Sequence, residues 1–204
     1  MARPLCERCQ NPIPTCICHA VKPITSRHRI VILQHPSEVT AAKGTVKLIQ
    51  LTLPQTEVIV GESEADFTNI RRSLEADDAT TFVVYPSDEA ETVESFWERY
   101  PASTHKKITL VFIDGTWKKV HKIRCLNPWL AQFPELTCAD AKPTDYHIRT
   151  QKKKGGLATI EAVAYVLAHT DTIEVSPLIN VFRARLEQED KFISMSRSKR
   201  AGEV

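Results

Sequence analysis

Apolar and β-branched residues gather into short runs along this chain, separated by longer stretches in which apolar positions recur every three or four residues. The runs at 29–33 (Arg-Ile-Val-Ile-Leu), 57–60, 80–84 and 108–113 (Ile-Thr-Leu-Val-Phe-Ile) predict strands, with a weaker one at 136–138. Between them the pattern predicts helices at about 37–53, capped by Ser37 and stopped by Pro54, at 66–75, near 90–99 and at 116–126. Farther on, Leu157, Ile160, Ala164 and Leu167 return at helical spacing, and a last helix is expected over about 178–192. Strands alternating with helices imply an α/β fold, a mainly parallel sheet with helices on both faces.

Three predicted strands run into chemistry-bearing residues: His35-Pro36-Ser37-Glu38, Tyr85-Pro86-Ser87 and Asp114-Gly115-Thr116-Trp117. In a parallel sheet these ends lie on one edge, where the three loops can share a pocket. Asp114 follows six residues without a charge, so it leaves a buried strand where open α/β sheets place their ligand crevice. A fourth segment, 146–156, feeds the helix that begins near Leu157. Its Gly155-Gly156 pair lets backbone amides approach a ligand closely, and a helix N-terminus favours a carboxylate or phosphate. Lys152, Lys153 and Lys154 in the same loop are either an exposed solvated run or part of an anion-binding surface.

Four of the six cysteines fall within thirteen residues, as Cys6-x-x-Cys9 and Cys16-x-Cys18. Two tight turns joined by a loop carrying Pro12 and Pro14 can bring four sulfurs together, the arrangement of a structural tetrathiolate zinc site. His19 follows directly and offers an alternative ligand. A closed thiolate shell leaves no position for substrate, so this metal would fold the N-terminus and take no part in catalysis. Cys125 and Cys138 stand alone and are expected to be buried, inert thiols.

With 204 residues, 42% hydrophobic and 25% charged, the chain suits one α/β domain with a small appended module. Boundaries are expected at 1–28 for the cysteine module and 29–204 for the α/β domain. An apolar leader is missing from the start and the apolar runs are too short to span a bilayer, so a cytoplasmic protein is expected. Net charge is only +2 but unevenly spread. Residues 1–56 hold seven basic against two acidic side chains, 57–98 two against twelve, 99–154 twelve against four, and 155–204 six against seven. The blocks around Cys6 and Asp114 are both basic, which suits a polyanionic partner or simply solvated faces. Nothing in the pattern marks an obligate protein partner, and oligomeric state stays open.

Taken in order, Cys6-x-x-Cys9, Cys16-x-Cys18, Gln34-His35-Pro36-x-Glu38, Tyr85-Pro86, Asp114-x-Thr116-Trp117 and Leu157-Ala158-Thr159-Ile160-Glu161-Ala162 resemble the DTW-domain family, the tRNA-uridine aminocarboxypropyltransferases. The resemblance covers most of residues 4–170 and departs at Ala158, where a small hydroxyl residue is expected. It implies a fold similar to the knotted SPOUT-type methyltransferases and S-adenosylmethionine as donor. The implied reaction moves the donor's 3-amino-3-carboxypropyl group to N3 of a tRNA uridine and releases 5′-methylthioadenosine. Because the sulfonium is already an activated leaving group, the enzyme must place N3 in line and remove its proton.

On that resemblance Asp114 is expected as general base, with a second role in holding the donor's α-ammonium. Thr116 either orients Asp114 or caps the helix after it. Trp117 is either an aromatic platform or core. The donor site is expected to include Tyr85, Pro86, Ser87, Asp114, Arg149, Gly156, Leu157, Thr159 and Glu161. Arg149 would grip the transferred carboxylate or a tRNA phosphate. Arg27, Arg29, His35, Lys118, Lys119, Lys122, Arg124, Lys152, Lys153 and Lys154 are the expected RNA contacts. Two rivals remain, a zinc-dependent RNA-binding protein without catalysis and an RNA methyltransferase using the same donor.

Overall fold

A computed structural model of the chain describes residues 4–41, 43–99, 107–138 and 157–201, with side chains through residue 191. Its centre is a six-stranded sheet built from β1 (Arg29–Gln34), β2 (Glu57–Val60), β3 (Thr80–Val84), β4 (Glu91–Thr92), β5 (Ile108–Asp114) and β6 (Glu135–Thr137), ordered β2-β1-β5-β3-β6-β4. Every pairing within this sheet is parallel among the described residues, and the register sets Gln34 opposite Asp114 at the C-terminal ends of β1 and β5.

Both faces are covered, as a parallel sheet requires. Side chains alternate between them. Ile30, Ile32, Leu110 and Phe112 join a core with α1 (Val46–Thr52), α5 (Thr159–Thr170) and the start of α6 (Ser176–Ala201). Val31, Leu33 and Val111 turn the other way, onto Phe67 with α2 (Thr68–Glu75) and α4 (Trp117–Leu126), and onto Trp129 and Leu130. α3 (Val93–Arg99) sends Val93 and Phe96 into the first core, Phe96 meeting Phe82 edge-on with ring centroids 4.6 Å apart. The cysteine segment docks on this same layer: Cys9 and Ile17 are buried with it, and Arg185 of α6 bonds Asn11.

Three expected helices differ. The span 37–53 divides into a single 3-10 turn, Pro36–Glu38, and the later α1. Ser37 does not cap a helix, because its amide (3.1 Å) and hydroxyl (2.9 Å) both reach His35 Nδ1 and close the turn. Residues 91 and 92 pair with β6 as a short strand before α3 begins. The last helix starts at Ser176 and runs on to Ala201, beyond the expected end.

Candidate functional site

The strand order locates the crevice. From β1 the chain moves outward to β2, while from β5 it moves the opposite way, past β3 to β6. The gap between the C-terminal ends of β1 and β5 is therefore the topological switch point, where open parallel sheets leave room for a ligand. Gln34 and Asp114 sit on its two sides.

Asp114 points toward the α1/α5 layer and is 6% exposed. Its two oxygens have different partners. Gln34 Nε2 donates to Oδ2 at 3.0 Å, and the Thr159 hydroxyl donates to Oδ1 at 2.6 Å. The second distance is that of a hydroxyl donating to a carboxylate. Thr159 is the first residue of α5, so the carboxylate lies beside the positive end of a twelve-residue helix. Thr159, and not Thr116, thus holds Asp114. Thr116 is the N-cap residue of α4 but its side chain makes no cap hydrogen bond. Trp117 stands 55% exposed at the start of α4, outside both cores. Gly115 lets α4 begin this close to the strand end, since a Cβ there would lie 3.1 Å from the Cβ of Lys119.

The start of α5 is fixed in an unusual way. Ala158 occupies its N-cap and offers no side-chain acceptor. Glu161, 2% exposed, turns back to accept from the Ala158 amide at 2.7 Å, half of a capping box. The Ile160 amide reaches the buried hydroxyl of Thr45, just before α1, at 3.4 Å. A cap from a distant residue partly replaces the missing local one. Gln34 and Thr45 carry no expected role, although both belong to the site.

On the other face of the same edge, His35 Nδ1 accepts from Ser37, so Nε2 bears the proton and donates to Glu62 at 2.7 Å. Lys122 reaches the second oxygen of Glu62 at 2.9 Å, and Lys119 reaches Glu38 at 2.7 Å. Lys122 first, then His35, holds the Glu62 carboxyl below its ordinary range. Tyr85 also lies on this face. Its ring packs under the Arg124 guanidinium, 4.6 Å from the ring centroid, beside a cavity of about 280 Å³ that His121 and Cys125 also line. Arg124 pairs with Glu135, which also accepts from Ser87. The Tyr85 ring and the Asp114 carboxylate therefore stand on opposite faces of the sheet, and the loops meet only at the edge.

The remaining expected residues divide in two. Arg29 opens β1, about 16 Å from Gln34 at the usual rise per strand residue, and Arg27 lies just before the strand. Arg29 is held by Glu57 (2.7 Å) and Asp77 (3.3 Å), and Arg27 by Asp171 (3.7 Å) and the Thr170 carbonyl (2.9 Å). Lys118 is exposed on the first turn of α4, and Leu157 lies just before α5. Arg149, Lys152, Lys153, Lys154 and Gly156 lie outside the described residues, as does most of the loop leading from β6 to α5.

The cysteines converge. The ligand atoms of Cys6, Cys9, Cys16 and Cys18 all lie within 4.8 Å of one another, and the close pairs are Cys6–Cys18 at 3.6 Å, Cys6–Cys16 at 3.6 Å and Cys9–Cys16 at 3.8 Å. Zn–S bonds of about 2.3 Å put tetrahedral sulfurs about 3.8 Å apart, so the four thiols could hold such an ion. Amides of Cys9 and Arg8 point at the Cys6 sulfur and lower its pKa to about 6, whereas burial raises Cys18 to about 12. The turn that delivers these amides closes through Gln10 with a φ of 59°, and Gln10 N donates to the Cys6 carbonyl at 2.7 Å. His19 is not part of the cluster. Of the two lone cysteines expected to be buried, Cys125 is exposed on α4 and Cys138 is only partly buried.

Comparison with known proteins gives a consistent answer. The DTW domain matches residues 3–189. A tRNA-uridine aminocarboxypropyltransferase 2 from Drosophila melanogaster is 33% identical over 169 residues, 80% of this chain and 65% of its own. The protein of that name from Mus musculus is 28% identical over 170 residues, 81% of this chain and 56% of its own. The chain thus spans less than two thirds of the length of these curated relatives. No solved structure matches the chain. Since the match runs from the cysteine cluster through the Asp114 loop and α5 into α6, the chain belongs to the DTW-domain family.

Proposed function

We propose that this protein is a tRNA-modifying transferase that moves the 3-amino-3-carboxypropyl group of S-adenosylmethionine to N3 of a uridine and releases 5′-methylthioadenosine. The observation that carries this is the buried Asp114 carboxylate, held on both oxygens at the sheet's switch point. The names of the relatives, tRNA-uridine aminocarboxypropyltransferase 2, point to the same chemistry. The donor supplies the activated sulfonium. What this chain must supply is a fixed acceptor for the N3 proton, and a carboxylate that cannot swing away answers that need.

In the step, the N3 electron pair forms a bond to the donor carbon on sulfur, the C–S pair returns to sulfur, and the N3 proton passes to Asp114. The exposed Trp117 beside the crevice offers a face on which a base can stack. A structural Zn²⁺ on the four cysteines and a knotted SPOUT-type passage of the chain belong to the same proposal. So do a cytoplasmic location and RNA contacts along α4 and the 152–154 loop. Among the described residues no helix is long and apolar enough to cross a membrane.

Incubating tRNA and the protein with donor labelled in its aminocarboxypropyl group tests the proposal. Label in a uridine nucleoside together with methylthioadenosine is expected. S-adenosylhomocysteine instead would make the protein a methyltransferase. RNA binding with neither product would leave a non-catalytic binder.

A further inference from the structure

Resting on that transfer reaction, we infer that Asp114 takes the uridine N3 proton through the Thr159 hydroxyl, with Gln34 as the positioning residue that fixes the second carboxylate oxygen. Three observations point this way. Asp114 is 6% exposed while Thr159, the first residue of α5, is only half-buried, so an incoming base meets Thr159 first. Both Asp114 oxygens already accept a hydrogen bond, from Gln34 at 3.0 Å and from Thr159 at 2.6 Å. Finally, a hydroxyl has one proton and two lone pairs. Thr159 spends its proton on Asp114, so it can offer only an acceptor to the cleft. An acceptor suits the N3–H of uracil. It repels the carboxylate of the donor's amino acid end, which is the group a threonine at a donor site would otherwise be expected to bind.

The relay balances. As the N3 pair attacks the donor carbon, the N3 proton moves to Thr159 Oγ1, and the hydroxyl proton moves to Asp114 Oδ1. The C–S electrons neutralise the sulfonium, methylthioadenosine leaves, and the proton on Asp114 passes to solvent before the next turnover. Gln34 touches neither substrate. By holding Oδ2 it keeps Oδ1 turned toward Thr159, across two strands that their register locks together.

T159S, T159V and Q34L distinguish the roles, assayed as the full chain in single turnovers with tRNA and labelled donor between pH 6 and 9. T159S keeps the hydroxyl and should stay within about threefold of wild type. T159V should slow transfer by about 10²–10⁴-fold, the usual worth of a positioned proton acceptor, with donor affinity within about threefold. Its rate should also climb about tenfold per pH unit where the wild-type rate is level, because uracil must then lose its proton to hydroxide. T159A carries the same expectation should T159V fold poorly. Q34L, with the hydroxyl in place, should lower the rate about tenfold without that slope. A T159V rate close to that of T159S would overturn the relay. So would weakened donor binding at an unchanged saturated rate, which would make Thr159 a contact for the donor's α-ammonium. Wild-type protein that leaves no label in RNA would overturn the transfer reaction, and the relay with it.

Discussion

Asp114→Asn keeps the size of the side chain and removes its charge, and the site predicts two effects of different scale. The new amide still offers one oxygen to the Thr159 hydroxyl. Its nitrogen faces Gln34, whose own amide can turn to present oxygen. Two hydrogen bonds to an ion become two neutral ones, a loss of about 1 kcal/mol each. Removing a buried charge recovers desolvation free energy of similar size, so net stability should change by no more than about 1 kcal/mol. For a chain of this length that moves the unfolding midpoint by about 2–4 °C. Transfer should fall far more, by about 10²–10⁴-fold, which is about 3–5 kcal/mol at about 1.4 kcal/mol per tenfold. Single-turnover transfer and thermal unfolding on the same preparation measure both. Turnover within about threefold of wild type would refute the role given to Asp114. A midpoint lowered by more than about 10 °C would show that the carboxylate holds the fold, since two hydrogen bonds cannot account for that much.

Replacing Cys6 and Cys9 by Ser should abolish bound metal and lower the unfolding midpoint, as should a strong chelator on the wild type; full metal content in the variant, by elemental analysis, would contradict the tetrathiolate assignment. His28, 3% exposed, donates to the Thr170 carbonyl and accepts from the Ile108 amide, and burial keeps its pKa below the ordinary 6.5. Its contribution to stability is therefore present above about pH 6.5 and is lost as pH falls through the lower folded value. Urea midpoints at pH 7.5 and 5.5 should diverge in the wild type and converge in His28→Gln; equal divergence in both would refute this. Ala158→Ser supplies the missing cap hydroxyl on an already extended N-cap backbone and should add about 0.5–1 kcal/mol, a gain that a lowered denaturant midpoint would contradict.

The features legible in the sequence are those whose cause is local. The cysteine spacing announces its cluster because four thiols lie close in sequence, and β5 announces Asp114 because an uncharged run ends in an acid. The same β-branched runs place every long strand of the sheet. Contacts that depend on register are not legible. Gln34 lies 80 residues from Asp114, and only the pairing of β1 with β5 makes them neighbours. Thr116 is the nearest hydroxyl in sequence, yet the distant Thr159 reaches the carboxylate, because α5 starts on the face toward which Asp114 points. Face, too, is decided by strand parity: Tyr85 and Asp114 share an edge but turn to opposite layers. Local competition explains the misplaced helix start near Ser37, whose hydroxyl is drawn to His35.

Internal neutralisation of α4 has a consequence for the proposed contact of this edge with RNA. Lys119 and Lys122 already lie against Glu38 and Glu62, and Arg124 against Glu135. A phosphate that approaches them displaces a carboxylate belonging to the protein, so few mobile cations are released in the exchange. Ionic-strength titrations should accordingly give a shallower dependence than the tally of lysines on this helix suggests. Discrimination among RNAs would then rest on stacking and shape, forces that added salt leaves nearly untouched.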